Sequence, residues 1–251
     1  MCHYERFLNA LLINGIQNER SLKKKVLAVD IDGTITLNGF GKIHLQALEK
    51  LRNLKNDGHH VIFVTGRSSI EAYFLSIFGG LTLLGVGENG GCITHGEVMT
   101  HTMIGNKAEC EDAFSFLKEK VDVSIKEKPV FPRLTEVVLD RTFDIKNAQK
   151  LLDENGFNVG LFDSGYAYHI NTRGVDKGTG LLKALEMLNV DLEDTIALGD
   201  SETDVPLFQT VKNNIAVNNS IPELKEIAKI VTTKNSGEGV LEGLDMIKYE
   251  F

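Results

Sequence analysis

The stretch that most constrains the fold is VLAVDIDGT, residues 26–34, in which an apolar run ends in two aspartates, Asp30 and Asp32. Continuous apolar residues with β-branching are typical of a strand that is covered on both faces. A helical pattern over 45–56, a second apolar run over 59–66 and another helical pattern from Ser69 follow. This β-α-β-α order predicts an α/β fold with a doubly wound, Rossmann-like parallel sheet.

The rhythm of strands and helices changes after about residue 85, where glycines cluster, and returns near Asp176. We therefore expect a core formed by residues 25–86 and 166–251, interrupted by an inserted α+β cap domain at residues 87–165. Residues 1–24 form an N-terminal extension. Five of its apolar residues share one helical face and predict a short amphipathic helix: Phe7, Leu8, Leu11, Leu12 and Ile16.

Composition limits the partners of the chain. The formal net charge is −8, which argues against non-specific binding to nucleic acid or to an anionic membrane. No apolar run reaches the roughly 18 residues that a membrane span needs. The three cysteines form no CxxC pair, which favours free thiols in a reducing compartment. We expect a cytoplasmic protein, a monomer or a homodimer, whose partner is a small molecule.

Polar residues recur at the ends of the predicted parallel strands. Asp30 and Asp32 end the first strand, Thr65 and Gly66 end the second, and Asp200 ends the strand TIALG. In an open parallel sheet, ligands bind beyond the carboxyl ends of the strands. These side chains, together with Asp204 and with Lys177 at a helix start, are therefore expected to converge on one edge of the sheet.

Two aspartates that are two residues apart repel each other unless a cation or a shared proton offsets the charge. Asp200 and Asp204 bring two more acids to the same edge, and oxygen-only ligands favour Mg²⁺. The sequence thus predicts a Mg²⁺ site formed by Asp30, Asp32, Asp200 and Asp204. The competing interpretations are an ordinary Asx-rich turn and, for the last two acids, acidic capping of a helix.

Thr65 and Gly66 in VTGR, and Lys177 in VDKGTG, predict a phosphate site. A threonine hydroxyl between a buried strand and a helix can hold an anion, although a plain turn capped by a serine explains the pattern equally well. A lysine in the first turn opposes the helix dipole, and Gly178 and Gly180 each lower helix propensity. Such unfavourable choices indicate a lysine that is held inward, rather than a solvated one.

These groups together predict phosphoryl transfer. One aspartate attacks phosphorus and forms an aspartyl-phosphate, while the other protonates the leaving alcohol and then activates water. Mg²⁺ neutralises charge on the transferring group. The spacing of Asp30 and Asp32 does not decide which of them is the nucleophile.

DIDGT, VTGR, DKG and GDSETD, in this order, resemble the motifs of the haloacid dehalogenase superfamily of phosphohydrolases. The resemblance implies that Asp30 is the nucleophile and Asp32 the general acid/base. It implies that Thr65, Gly66 and Lys177 bind the phosphate. It also implies Mg²⁺ held by Asp30, the backbone carbonyl of Asp32 and Asp200, with Asp204 as a ligand or an outer partner.

The inserted segment resembles the α+β cap of the Cof-type branch. GENGG, HINTRGVDKGTGLLKALEMLNV and ALGDSETDVPLF are most similar to archaeal-type phosphoglycolate phosphatases, which implies hydrolysis of 2-phosphoglycolate. Candidates for contacts to the leaving group are the loop 88–91 and the cap residues Arg133, His169 and Arg173. The alternatives are a Cof-type sugar-phosphate phosphatase and, more remotely, a phospho-accepting signalling domain.

Overall fold

The computed structural model describes residues 24–37, 41–121 and 124–247. The predicted N-terminal helix lies outside these residues. The strands and helices, in chain order, are β1 (Val26–Val29), α1 (Leu45–Asn56), β2 (His60–Val64), α2 (Ser69–Gly79), β3 (Leu84–Gly87), β4 (Cys92–His95), β5 (Thr100–Met103), α3 (Lys107–Lys120), β6 (Val137–Leu139), α4 (Ile145–Glu154), β7 (Val159–Asp163), β8 (Tyr168–Thr172), α5 (Lys177–Leu188), β9 (Thr195–Gly199), α6 (Val205–Thr210), β10 (Asn213–Ala216), α7 (Pro222–Ile227), β11 (Ile230–Val231) and α8 (Ser236–Met246). None of the helices in these ranges is long and apolar enough to cross a membrane.

A large sheet has the strand order β11-β10-β9-β1-β2-β3-β4-β5. The strands from β11 to β3 are parallel, and β4 and β5 continue the sheet in antiparallel fashion. From β1 the chain proceeds outward through β2 and β3 on one side, and later through β9 and β10 on the other. The end of β1, where Val29 lies opposite Phe63 and Leu198, is therefore the switch point at which such sheets bind ligands.

Both faces of the large sheet are covered. Leu27 and Val29 of β1 belong to a core shared with α1 and α8, whereas Val26 and Ala28 belong to a core shared with α5 and α6. This explains the continuous apolar run of the sequence, because alternate residues enter two different cores. The prediction of a doubly wound α/β fold is confirmed.

A second, antiparallel sheet has the order β6-β8-β7 and packs with α3 and α4 around a third core. Strand pairing does not follow the predicted limits of residues 87–165: β4 and β5 extend the large sheet, and β8 lies in the small one. The strand β4 was not predicted because it follows a glycine-rich stretch, in which a tight turn over 88–91 folds Cys92–His95 directly back on β3. The division into core and cap with those limits stays a prediction.

Candidate active site

A buried lysine lies at the switch point. Lys177 is the first residue of α5 and is 1% exposed. Its Nζ donates to Asp30 Oδ1 at 2.8 Å and to Asp204 Oδ1 at 2.6 Å. Asp176 caps the helix in a reciprocal capping box with Thr179, which supports a helix start that Lys177 itself disfavours. The lysine is thus held inward by two carboxylates and is not solvated.

The two glycines after Lys177 permit close packing around it. A Cβ on Gly178 would lie 2.4 Å from Thr210 Oγ1, and one on Gly180 would lie 2.5 Å from the Cα of Gly90. Both distances are too short for any other residue. The poor helix propensity of this segment therefore follows from the close approach of α5 to α6 and to the turn over 88–91.

Three carboxylates gather beside the lysine. Asp30, Asp200 and Asp204 each offer an oxygen, and these oxygens lie within 4.8 Å of one another. Gly33 adopts φ +85°, and a Cβ there would lie 2.2 Å from Asp200 Oδ2. The sharp turn after β1 therefore needs glycine, and it lets the Thr34 hydroxyl donate to Asp200 Oδ1 at 2.8 Å.

The charges of this cluster fit a divalent cation. Burial, reinforced by Asp204, raises the pKa of Asp200 to about 7. Burial also raises the pKa of Asp30, against the lowering effect of Lys177, and Asp204 and Asp200 raise it further. Although burial acts to lower the pKa of Lys177, Asp204 and Asp30 raise it. Three carboxylates around one lysine leave excess negative charge, which hard cations with oxygen ligands compensate.

Asp204 holds the cluster together. Its Oδ1 accepts from Lys177, and its Oδ2 accepts from the backbone N–H of Asp200 at 3.0 Å and from the N–H and hydroxyl of Ser201 at 2.9 and 3.0 Å. Asp204 is fully buried. Because its oxygens already accept four hydrogen bonds, Asp204 positions Lys177 and the turn after β9, while Asp30 and Asp200 have more capacity left for a metal.

The Asp32 carboxylate is not part of this cluster of three carboxylates. Arg67 binds it in a two-pronged pair, with Nε 2.6 Å from Oδ2 and Nη2 2.8 Å from Oδ1. The hydrogen bond to Asp32, opposed by burial, raises the pKa of Arg67. Arg67 also contacts Glu71 in the first turn of α2. The sequence motif contains Arg67, but nothing in the local sequence identifies its partner.

The sequence left open whether residues 65–67 form an anion site or a plain turn capped by a serine, and the loop has features of both. Ser68 caps α2 in a capping box with Glu71, as expected of the plain turn. Thr65 is nevertheless only 1% exposed, and its hydroxyl oxygen accepts from the Arg67 N–H at 3.1 Å. A hydroxyl that accepts in this way keeps its own proton available to an anion. Gly66 is tightly packed, because a Cβ there would lie 3.0 Å from Asn89 Oδ1.

The three cap residues that were candidates for contacts to the leaving group lie in different surroundings. Arg133 reaches the core, where its Nη1 donates to the Gly66 carbonyl at 3.1 Å. His169 is buried in the small sheet between Glu136 and Ser164, which makes it a structural residue. Arg173 is half-exposed and binds Asp153 and the Val159 carbonyl. Only Arg133 of these three contacts the loop 65–67.

One further residue at the site, Asn219, was not singled out from the sequence, whereas Glu88 belongs to the predicted contact loop 88–91. Asn219 donates to the Gly33 carbonyl at 2.9 Å and lies 3.3 Å from Asp200 Oδ2. It follows the apolar strand NIAV, so the same rule of polar residues at strand ends would have found it. Glu88 accepts from the backbone N–H groups of Leu134 and Thr135 and joins the two sheets. No sequence rule pairs it with a segment 46 residues away.

Comparison with known proteins agrees with this geometry. A family model described as haloacid dehalogenase-like hydrolase matches residues 27–127 and 122–244. A phosphoglycolate phosphatase of Nitrosopumilus maritimus is 53% identical over 226 residues, covering 90% of this chain and 97% of that protein. A phosphoglycolate phosphatase of Methanosarcina acetivorans is 37% identical, covering 90% and 98%.

Solved structures share the fold. A crystal structure of a Thermoplasma acidophilum protein has a TM-score of 0.80 at 23% identity and covers 90% of this chain and 99% of that one. A haloalkanoate-superfamily phosphatase of Bacteroides thetaiotaomicron has a TM-score of 0.74 at 17% identity, covering 92% and 96%. The chain belongs to the haloacid dehalogenase-like hydrolase family, as its motifs predicted.

Proposed function

We propose that this member of the haloacid dehalogenase-like hydrolase family is a Mg²⁺-dependent phosphatase that hydrolyses 2-phosphoglycolate to glycolate and inorganic phosphate. The observation that carries the proposal is the buried Lys177, which bridges Asp30 and Asp204 beside Asp200 at the switch point. The names of the relatives that match over nine-tenths of the chain support the substrate.

Asp30 acts as the nucleophile in the proposed reaction. One Asp30 oxygen is held by Lys177, so its second oxygen is directed to phosphorus. Attack forms the aspartyl-phosphate bond and breaks the bond from phosphorus to the ester oxygen, which leaves as an alcohol with a proton from Asp32. Asp32 then takes a proton from water as the water oxygen attacks phosphorus, which releases phosphate and restores Asp30.

In the proposed reaction Asp32 has to alternate between a protonated and an ionised state. Arg67 donates to both Asp32 oxygens, which an ionised carboxylate can accept, and the ionised form is the one that takes a proton from water. The protonated form that serves the leaving group binds Arg67 less well. We therefore propose that Arg67 holds Asp32 in place during the second half of the reaction and loosens its contact during the first.

The remaining residues bind the transferring group. Lys177 and the hydroxyl of Thr65 bind phosphate oxygens, and the backbone of Gly66 lines the same loop. Asp30, Asp200 and the backbone carbonyl of Asp32 hold Mg²⁺, with Asp204 beside them. When bound, the metal neutralises charge on the phosphoryl group and on the carboxylates.

A sugar phosphate is the second candidate substrate, because unpartnered carboxylate oxygens of Glu88 and Glu136 can accept hydrogen bonds from hydroxyls. Phosphate release is to be measured for 2-phosphoglycolate, hexose phosphates and a simple alkyl phosphate, with and without Mg²⁺. We expect metal-dependent turnover that is led by 2-phosphoglycolate. A profile led by sugars would overturn the substrate, and release of a single phosphate per chain would favour a signalling domain.

A further inference from the structure

Five buried side-chain polar atoms in the described residues have no hydrogen-bond partner, and all lie in one place. They are Glu88 Oε1, Asn89 Nδ2, Asn89 Oδ1, Arg133 Nε and Glu136 Oε1. We call these four residues the seam, because Glu88 and Asn89 lie in the turn between β3 and β4 of the large sheet, while Arg133 and Glu136 lie just before β6 of the small one. Each unpaired buried group costs about 1–3 kcal/mol, so such a concentration indicates groups that await a ligand.

The seam lies directly on the proposed phosphate loop. The backbone N–H of Glu88 donates to the Arg67 carbonyl at 2.7 Å, and that of Asn89 donates to the Thr65 carbonyl at 3.1 Å. Arg133 Nη1 donates to the carbonyl of Gly66. All three carbonyls of the loop 65–67 are therefore bound by seam residues, and a leaving group that extends from a phosphate at Thr65 has the seam beside it.

The backbone of the seam is strained. Glu88 and Asn89 adopt φ of 56° and 51°, in the left-handed region that glycine prefers. Asparagine tolerates this region, but glutamate rarely adopts it. The surrounding contacts maintain the strain, since Glu88 Oε2 accepts three hydrogen bonds from Leu134 and Thr135. Strain of this kind clusters at ligand sites because it aims a particular side chain, here the amide of Asn89.

The charges indicate which ligand the seam takes. The Arg133 side chain is 9% exposed, and its Nε forms an ion pair with Glu136 Oε1 at 3.5 Å but makes no hydrogen bond. The other oxygen of Glu136 is occupied by His169. Arg133 also lines a cavity of about 280 Å³, together with Lys107 and Lys128 and with the acids Glu127 and Glu136. A planar guanidinium with an unused donor matches a carboxylate.

We propose that Arg133 and Asn89 bind the carboxylate of the leaving group, with the Arg133 guanidinium and the Asn89 amide donating to its oxygens. This inference rests on the proposed function, since it assigns the residues that would recognise the acid of 2-phosphoglycolate. The carboxylate supplies the acceptor that Arg133 Nε and Asn89 Nδ2 lack. Arg133 then serves substrate recognition and not only the contact between the two sheets.

The test compares Arg133→Gln with Arg141→Gln, which removes an exposed arginine of the small sheet that pairs with Asp163. Both variants and the wild type are assayed with 2-phosphoglycolate and with ethyl phosphate, which has the same carbon count but no acid. For Arg133→Gln we expect kcat/KM for 2-phosphoglycolate to fall about 30- to 100-fold, mainly through KM. For ethyl phosphate we expect kcat/KM to fall only about three- to ten-fold. Arg141→Gln should change both substrates by less than about two-fold.

The outcomes separate the inference from the function on which it rests. If the wild type prefers 2-phosphoglycolate but Arg133→Gln loses equally on both substrates, Arg133 is a structural contact and the inference is wrong. If the wild type shows no preference for 2-phosphoglycolate, the proposed function fails, whatever the variant does.

A second variant covers the case in which Arg133→Gln does not fold, as judged by circular dichroism. Arg133→Lys keeps the positive charge but loses the planar fork. We expect an intermediate loss, of about three- to ten-fold, that is confined to 2-phosphoglycolate. A loss shared by ethyl phosphate would again overturn the inference.

Discussion

Two polar regions lie close to the proposed phosphate loop 65–67, and they differ in how many of their buried polar side-chain atoms have hydrogen-bond partners. The first is the rim, by which we mean the four charged residues at the switch point: Asp30, Lys177, Asp200 and Asp204. In the rim every carboxylate accepts hydrogen bonds from the protein. The seam contains all five unpartnered buried polar atoms of the described residues.

The difference shows how such a site separates chemistry from recognition. In the proposed function the rim acts on the phosphoryl group, which every substrate shares, so it can be held rigid by its own hydrogen bonds before a substrate arrives. In the further inference the seam faces the part of the substrate that varies. Two of its unpartnered atoms, Arg133 Nε and Asn89 Nδ2, are donors that a carboxylate on the leaving group would pair, and a leaving group without that acid leaves both donors buried without compensation.

The largest effect is expected at the rim, from Asp30→Asn. An amide does not attack phosphorus as a carboxylate does, so turnover should fall by at least about 10⁴-fold. The fold should survive, because the change also removes repulsion from Asp200 and Asp204. Phosphate release and urea unfolding check both statements, with Asp245→Asn as an exposed control. Full activity in Asp30→Asn would mean that another residue is the nucleophile.

Lys177→Met tests whether the rim depends on its one lysine. The change leaves Asp30 and Asp204 buried without their cation, so we expect a loss of about 3–5 kcal/mol in the free energy of unfolding. Activity should fall about 10²- to 10³-fold, because a donor to the phosphoryl group is removed. Lys183→Met, on the exposed side of the same helix, is the matched control. Equal stability of the two variants would contradict the account of the cluster.

Mg²⁺ should stabilise the rim and leave the seam unaffected. A chelator should abolish turnover, and Mg²⁺ at about 100 times its Kd should add about 2.7 kcal/mol to the stability of the metal-free protein. Asp200→Asn removes a proposed ligand, so Mg²⁺ should raise its unfolding temperature much less. Arg133→Gln should keep the full Mg²⁺ response. A reduced response in Arg133→Gln would show that the two regions are not independent.

The smallest effect on stability is expected within the seam, from Asn89→Gly. The Asn89 amide makes no hydrogen bond, and glycine suits its φ of 51°, so the free energy of unfolding should change by less than about 1 kcal/mol. Asn214 is the contrast, because its buried amide donates to the Phe208 and Val211 carbonyls. Asn214→Ala should lose about 1–3 kcal/mol.

Activity completes the comparison between the two asparagines. Asn89→Gly should lower kcat/KM for 2-phosphoglycolate by about three- to ten-fold, whereas Asn214→Ala should keep the activity of its folded fraction. Urea unfolding measures the stability of each variant, and steady-state kinetics on the same preparations measure its activity. Strong destabilisation by Asn89→Gly would mean that this amide has a structural role.

Sequence patterns predicted the rim because its residues follow a local rule. Asp30 and Asp200 each come directly after an apolar strand, and parallel strands of one sheet end at the same edge. Lys177 was conspicuous because its helix start is unfavourable by itself. The strand β4 was not predicted, because its glycine-rich approach obscures an antiparallel return onto β3.

Contacts between distant segments could not be predicted in this way. Arg67 and Asp32 are 35 residues apart, and Arg133 and Gly66 are 67 residues apart, with no periodicity to relate them. Nor does a sequence show that the Asn89 amide is buried without a partner. That property depends on the absence of a hydrogen-bond partner in each segment that packs against the Asn89 side chain.

The sequence by itself determined the α/β class, the order of the motifs and the residues of the rim, because strand ends and helix starts are encoded within a few positions of the chain. Only the tertiary structure decided that Asp32 is held by Arg67, that Asp204 accepts a hydrogen bond from Lys177, and that the seam exists at all. The physical reason is the range of the interactions. Burial pattern and backbone turns are local, whereas hydrogen-bond satisfaction is settled by side chains that meet only after the two sheets have packed.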